Sequence, residues 1–472
     1  MGRRICGAMS HSRVRFATRL GVRLMEATAT AAAPPTAPVS GPIRGLPPGP
    51  RMNRAVQTAI WSRRAQWMLE QCRARLGPIF TLRIAYEGEW VIVSDPEVIK
   101  QVFTGDPKVF HAGEGNQILR PLLGENSVLV LDEKRHIGQR RLLLPPFHGE
   151  RMQGYGEQMQ AIAAREIASW PTGTPYRLRP RMQAMTLEII IETVFGVRGG
   201  ARLEQLRDAL RGFLDLTTDP RFLAPILALG PDRIRAIPAF RRRTDRVDAL
   251  IAAEIAARRA ATDLEDRDDV LSMLILACHE DGSPMSDVEI RDELLTLLVA
   301  GHETTATALA WAVERLVRHP AKLERLREEV LAGEDAYLTA TIQETLRLRP
   351  VISIVIRRLT EPVELGGYEL TAGASVTPAI HLVHRDPRIY PEPESFLPER
   401  FLDEPPGTYT WIPFGGGVRR CLGAAFAQFE MTVVLRELVR RHRIRPADPA
   451  PERNYRRAIT ETPRRDAEVV LG

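Results

Sequence analysis

From Ser286 to Pro320 the sequence reads as one long helix. Ser286 and Glu289 have the spacing of a capping box, and Pro284 lies just before them. An apolar pattern then runs through LLTLLVAG and ATALAWAVERLV to His319-Pro320, where the proline should stop it. At 1.5 Å per residue such a helix spans roughly 48 Å. A helix that long does not cap one side of a domain; it crosses the whole of it. Its middle carries the polar patch GHETT, Gly301 to Thr305. A glycine, an acid and hydroxyls in mid-helix cost stability, so the patch points to function or to tight packing.

The surrounding chain is mostly helical in pattern from about 95 to 345, with a shorter helix expected at 337–348. Residues 79–93 read as a hairpin turning at Glu87-Gly88, and 351–380 as short strands turning at Gly366-Gly367. Residues 385–420 are irregular and proline-rich, and a last amphipathic helix follows Gly423 to about Arg443. A loop that long inside a domain is usually functional. The expected class is mainly α with small β-sheets, an α+β fold.

Charge separates the body from its leading segment. The net charge of the 472 residues is +6, but residues 1–24 hold six Arg and no Lys, Asp or Glu. The remainder is formally neutral, which argues against a nucleic-acid-binding body. Residues 25–50 are Ala/Pro-rich and end in GLPPGP, so the body is expected to begin near Arg51. The division is a disordered extension over 1–44 and a single domain over 45–472. The extension reads as a tail, as an upstream start with Met25 as the true one, or as a transit-like segment. No window approaches 18 apolar residues, so no transmembrane anchor is expected and the location is cytoplasmic. Cys6, Cys72, Cys278 and Cys421 lie far apart, which fits a reducing compartment. Cys6 reads as a tail residue, and Cys72 and Cys278 as helix-packing residues.

Four patches carry chemistry. In FGGGVRRCLG, Phe414 to Gly423, a Gly-rich turn leads to one Cys at the start of a helix. Backbone N–H groups and the helix dipole favour a thiolate there, and Arg419 and Arg420 add positive charge. A lone Cys of this kind is more often an ordinary buried thiol. In ETLR, Glu344 and Arg347 share a helix face, as many solvated surface pairs do. AGHETT, Ala300 to Thr305, lies in the long helix. A threonine there can also simply bond the carbonyl one turn back. His302-Glu303 begins a zinc-protease pattern, but residue 306 is Ala, so the second His is missing. In HIGQR, His136 and Arg140 share one helix face.

Together these patches resemble the cytochrome P450 family. Phe414, Gly417, Arg419, Cys421 and Gly423 match its F-x-x-G-x-R-x-C-x-G signature at all specified positions, and the likeness covers about residues 45–470. The resemblance implies a fold with a long central helix over haem b (heme b) and Cys421 as the proximal iron ligand. It implies that Thr304 hydrogen-bonds dioxygen and that Glu303 relays protons. His136, Arg140, Arg357 and Arg419 would meet the propionates, with Arg358 as an alternative to Arg357. Phe414, Gly423, Ala300 and Gly301 would lie against the cofactor, with Gly417 and Gly423 letting the backbone approach it. Glu344, Arg347 and Arg400 of PERF would lock the cysteine loop and are read as structural.

The implied reaction inserts one oxygen atom of O2 into a substrate. The chain runs only 51 residues beyond Cys421, so electrons are expected from a separate ferredoxin or flavoprotein. Arg135, Arg141 and Arg420 are candidates for its docking, against the plain reading of a solvated basic surface. The family's substrate-contact segments here contribute Ile118, Leu119, Phe213, Phe222, Leu297, Val351, Ile354 and Ile459, which implies a lipophilic small molecule unless many of them are simply core. A monomer is expected. The rivals are a peroxide-using or isomerising haem-thiolate enzyme, and a non-catalytic haem sensor or carrier. Dependence on NAD(P)H and a redox partner discriminates against the first. A rise in uncoupled peroxide formation on Thr304→Ala discriminates against the second.

Overall fold

The computed structural model describes residues 42–85, 87–147, 149, 151–218, 234 and 237–472. The extension assigned to 1–44 lies outside them except at its end. There Ile43–Arg44 form strand β1, paired in parallel with Tyr368 and Glu369, so described structure starts before both Arg51 and the expected boundary.

Helices of nine residues or more, in chain order, begin with α1 (Arg54–Leu76) and α2 (Pro96–Thr104). Next come α3 (Glu133–Leu143), α4 (Arg151–Ala168), α5 (Leu178–Phe195), α6 (Gly200–Thr218) and α7 (Pro238–Arg259). The long helix α8 (Asp287–Val317) is followed by α9 (Pro320–Ala332), α10 (Ala336–Leu348) and α11 (Ala424–Arg441). The expected helical segments are therefore present, with ends shifted by a residue or two.

Local chemistry sets these boundaries. The capping box of α8 forms as read: the Ser286 hydroxyl accepts from Glu289 N, and the Glu289 carboxylate accepts from Ser286 N at 2.9 Å. Pro320 does not merely stop α8; it opens α9 in the first turn, where its missing N–H is harmless. From Ile290 to Val317, α8 is buried along most of its length. It packs against α5, α10 and α11, so it is the axis around which the other elements lie.

The expected hairpin is β2 (Ile79–Ile84) with β3 (Gly88–Val93). These join β4 (Phe110–His111), β6 (Arg357–Leu359) and β9 (Ser375–Pro378) in a sheet ordered β2-β3-β9-β6-β4. β7 (Val363–Leu365) and β8 (Tyr368–Leu370) extend β1. The strands after Arg443 are short: β10 (Ile444–Pro446), β11 (Asn454–Arg457), β12 (Thr460–Pro463) and β13 (Glu468–Leu471). β5 (Tyr176–Arg177) pairs with β13, closing the C-terminal sheet on the start of α5.

Cys72 is buried on α1, as expected, and burial pushes its thiol up to about 12. Cys278 is not a helix-packing residue. It is exposed and lies in an isolated bridge with Pro284.

Candidate active site

The cysteine loop is held by four features. Phe414 O accepts from Cys421 N at 2.9 Å, closing the turn. Gly417 has φ +64°, and a Cβ there would lie 1.9 Å from Phe103 O on α2. A Cβ on Gly416 would enter the Phe103 ring at 2.2 Å. Thus Gly416 and Gly417 are required by the contact with α2. A Cβ on Gly423 would meet nothing within 4 Å. Finally, Trp411 stacks edgewise on Phe414 at 6.0 Å and donates to Gln343 O, tying the loop to α10.

α10 carries the expected lock. Glu344 and Arg347 are fully buried and paired at 2.6 Å. Arg347 also donates to the carbonyls of His384, Pro393 and Ser395. Glu344 accepts from Leu397 N at 2.8 Å and pairs with Arg400 at 3.3 Å. The surface-pair alternative is therefore excluded for ETLR. His384 adds a link that sequence reading did not assign: its Nε2 accepts from Ile412 N at 2.8 Å, so its Nδ1 donates to Arg347 O.

Cys421 is accessible, although burial raises its thiol pKa. The Gly423 N–H, Arg140 and Arg420 oppose burial and favour the thiolate. On α8, Leu297, Gly301 and Thr304 are partly accessible and Ala300 is exposed, while most of the flanking helix is buried. The spacing of Leu297, Ala300 and Thr304 puts them on one helix face.

Thr304 donates to Ala300 O at 2.6 Å and Thr305 to Gly301 O at 3.0 Å, the one-turn back-bonds anticipated. Glu303 accepts from Arg179 at 3.1 Å and from Gln183 on α5. Burial raises the Glu303 carboxyl pKa, with Arg179 opposing it. Arg179 also pairs with Asp466 at 2.7 Å. A Cβ on Gly301 would lie 3.2 Å from Ile190 of α5, so this glycine also serves the packing of the two helices.

His136 and Arg140 on α3 meet Arg357 of β6 and Arg419 of the cysteine loop. Burial first, then Arg419, Arg140 and Arg357, lower the His136 pKa to about 3, so its ring is neutral. Burial lowers Arg357 and Arg419 each to about 10, leaving both cationic. Strand alternation turns Arg357 inward, where it is 6% exposed, and Arg358 outward beside Arg54 and Glu89. Arg357 is therefore the one of the two that acts on His136 and is acted on by Arg419. Arg419 is partly committed elsewhere: it donates to Val128 O and Leu131 O and pairs with Asp132. Among the described residues, Asp132 is the one carboxylate ion-paired with any of these four. A half-buried cluster of cations short of anions fits a group that brings negative charge, as the two propionates of haem do.

Sequence reading missed Asp132 and Arg179. Asp132 lies four residues before His136, a spacing that could have revealed it. Arg179 and Asp466 are separated by most of the fold, and no local pattern joins them. Of the proposed substrate contacts, Phe213 is fully buried core and Val351 is 8% exposed, while Phe222 lies outside the described residues. Arg141 pairs with Glu280 and Arg135 donates to Asn126, whereas Arg420 is exposed.

An accessible cysteine in a Gly-rich loop, a long helix accessible at Leu297, Ala300 and Thr304, and a cationic edge fit a haem-thiolate protein. The comparisons agree. The family model described as Cytochrome P450 matches residues 45–467. Cytochrome P450 135B1 of Mycobacterium tuberculosis is 45% identical over 433 residues, 90% of this chain and 91% of that protein. Cytochrome P450 138 of the same species is 37% identical over 462 residues, 95% and 99% of the two chains. The solved structure of retinoic acid bound cyanobacterial CYP120A1 has a TM-score of 0.79 at 24% identity, covering 90% of this chain and 99% of that one. The chain belongs to the cytochrome P450 family: it is a monooxygenase whose cofactor is haem iron ligated by a thiolate. No helix among the described residues is long and apolar enough to cross a membrane.

Proposed function

We propose that the protein inserts one atom of O2 into a lipophilic small molecule, the other leaving as water, with two electrons from a separate ferredoxin or flavoprotein. The observation that carries this reading is the accessible, desolvated Cys421 in a molecule whose central helix exposes Leu297, Ala300 and Thr304 at its middle. When bound, haem with a thiolate ligand supplies the oxygen chemistry.

The chain's own residues do the rest. Cys421 would ligate the iron, and the Gly423 N–H, Arg140 and Arg420 oppose the rise in its thiol pKa that burial causes. Arg140, Arg357, Arg419 and neutral His136 would hold the propionates, and Phe414 and Ala300 would lie against the ring. The Thr304 hydroxyl would be free to meet dioxygen when it turns from Ala300 O. Glu303, its carboxyl pKa raised by burial, is held by Arg179 and Gln183. Glu344, Arg347 and Arg400 lock the loop. Accessible Ile118, Leu119, Leu297, Ile354 and Ile459 support an apolar substrate.

The test is the carbon monoxide difference spectrum of the reduced protein beside Cys421→Ala, then turnover of lipophilic compounds. The expected result is a thiolate band lost in the variant, and product only with NAD(P)H and an electron-transfer partner. Turnover on peroxide alone, or a band unchanged in Cys421→Ala, refutes it.

A further inference from the structure

Asp132 is placed at the junction of three segments that meet at the cationic edge. Its Oδ1 accepts from Gly113 N at 2.8 Å and pairs with Arg419, two residues before Cys421. Its Oδ2 accepts from Glu114 N at 2.8 Å. It also precedes α3, the helix that presents His136 and Arg140. An Asp at this position ordinarily caps its own helix, yet Asp132 makes no capping bond. The next residue, Glu133, has φ +50°, a strained value for a residue with a side chain. The loop opposite is shaped to the same end: a Cβ on Gly113 would lie 2.6 Å from Asp132 Oδ2 and 2.5 Å from Val130 O. The local sequence gives up a helix cap and tolerates strain to aim this carboxylate at Arg419.

We propose that Asp132 is the positioning residue of the haem edge, fixing Arg419 and setting the charge that the propionates meet. Guanidiniums stay protonated and His136 is neutral, so with His111, 3.8 Å from Asp132, answered by Glu114 and Glu133, one carboxylate against three guanidiniums leaves two positive charges uncompensated. Haem carries two propionates, and the edge is then electrically closed. Asp132 acts electrostatically on Arg357 as well as Arg419. The nearby Glu114 and Glu133 hydrogen-bond to His111 rather than to these arginines. The inference rests on the proposed haem-edge role of the three arginines.

The experiment is spectroelectrochemical titration of the haem-loaded protein, together with the rate of haem transfer to apomyoglobin. Asp132→Asn, Asp132→Glu, Arg357→Gln and Arg419→Gln are measured beside the parent. Asp132→Asn leaves three positive charges facing the edge and unpins Arg419. Its midpoint potential is expected to shift positive, because added positive charge favours the reduced iron, and haem transfer should accelerate several-fold. Asp132→Glu keeps the charge but not the reach, so its potential should match the parent while transfer accelerates. An unchanged potential in Asp132→Asn, beside shifted ones in the arginine variants, overturns the proposal and leaves Asp132 a loop tether. If no arginine variant changes potential or transfer, it is the haem-edge reading that fails. Should Asp132→Asn not retain haem, Asp132→Glu decides: a parental potential with faster transfer supports the proposal, and a shifted potential overturns it.

Discussion

Glu344 and Arg347 form an ion pair from which water is wholly excluded, yet each also binds the irregular segment that leads to the cysteine loop. The pair is therefore a clamp between α10 and that segment. Breaking a buried pair leaves an uncompensated charge, which costs about 3–5 kcal/mol. Glu344→Gln and Arg347→Leu should each lose that much stability and most of their haem. Chemical denaturation of the apoprotein and the haem-to-protein absorbance ratio check this. A loss below about 1 kcal/mol would mean that the clamp carries little.

Gly417 is fixed by backbone geometry and by space at once. Its φ of +64° disfavours any Cβ, and Phe103 O occupies the place that a Cβ would take. Gly417→Ala should cost at least about 1–3 kcal/mol and lower haem content, since the loop must move off α2. Gly138 on α3 is the control, because a Cβ there meets nothing within 4 Å. Gly138→Ala should be neutral or stabilise by roughly 0.5–1 kcal/mol. Equal melting temperatures for the two variants would remove the argument.

Arg357 and Arg358 are neighbours on β6 but face opposite sides of the sheet. Arg357→Ala should speed haem transfer to apomyoglobin several-fold, while Arg358→Ala should leave it at the parental rate. The same acceleration in both would show that the effect is general loosening of the strand.

How much of this was readable in the chain follows from the range of each interaction. The long helix, its capping box, the cysteine loop and the ETLR pair are encoded within a few residues, so they were visible. Contacts between distant segments were not. Asp132 meets Arg419 287 residues away, and Arg179 meets Glu303 across 124. The packing of Gly301 against Ile190 was not visible either, because Ile190 lies on another helix. The C-terminal strands have only three or four residues each, too short for an alternating pattern to stand out.

His111 predicts a pH dependence. Burial lowers its pKa, but the hydrogen bond to Glu114 and the charges of Asp132, Glu114 and Glu133 together raise it above the ordinary histidine value. Its stabilising contribution is then complete below about pH 6.5 and is lost as pH rises through the folded value. With both glutamates partly exposed, about 1 kcal/mol or less is at stake. Holoprotein melting temperatures between pH 5 and 9 should fall less steeply in His111→Gln than in the parent. Parallel curves would exclude the contribution.

Glu430 on α11 predicts a larger effect with the same direction. It is buried against Thr305 of α8, and its Oε1 has no partner. Burial raises its carboxyl to about 8, with Thr305 opposing. The folded protein thus holds this group protonated where the unfolded chain would release the proton. Its contribution is complete below about pH 4.5 and disappears as pH rises to about 8. The slope is on the order of 1.4 kcal/mol per pH unit between those values. Glu430→Gln keeps the shape and the Thr305 contact without a titrating proton, so it should flatten stability across this window and be the more stable protein at pH 8. Denaturant titrations at pH 5, 6.5 and 8 read this directly. A variant no more stable than the parent at pH 8 would show that water or a local rearrangement solvates Glu430, and that α8 and α11 do not meet in a dry contact at Thr305.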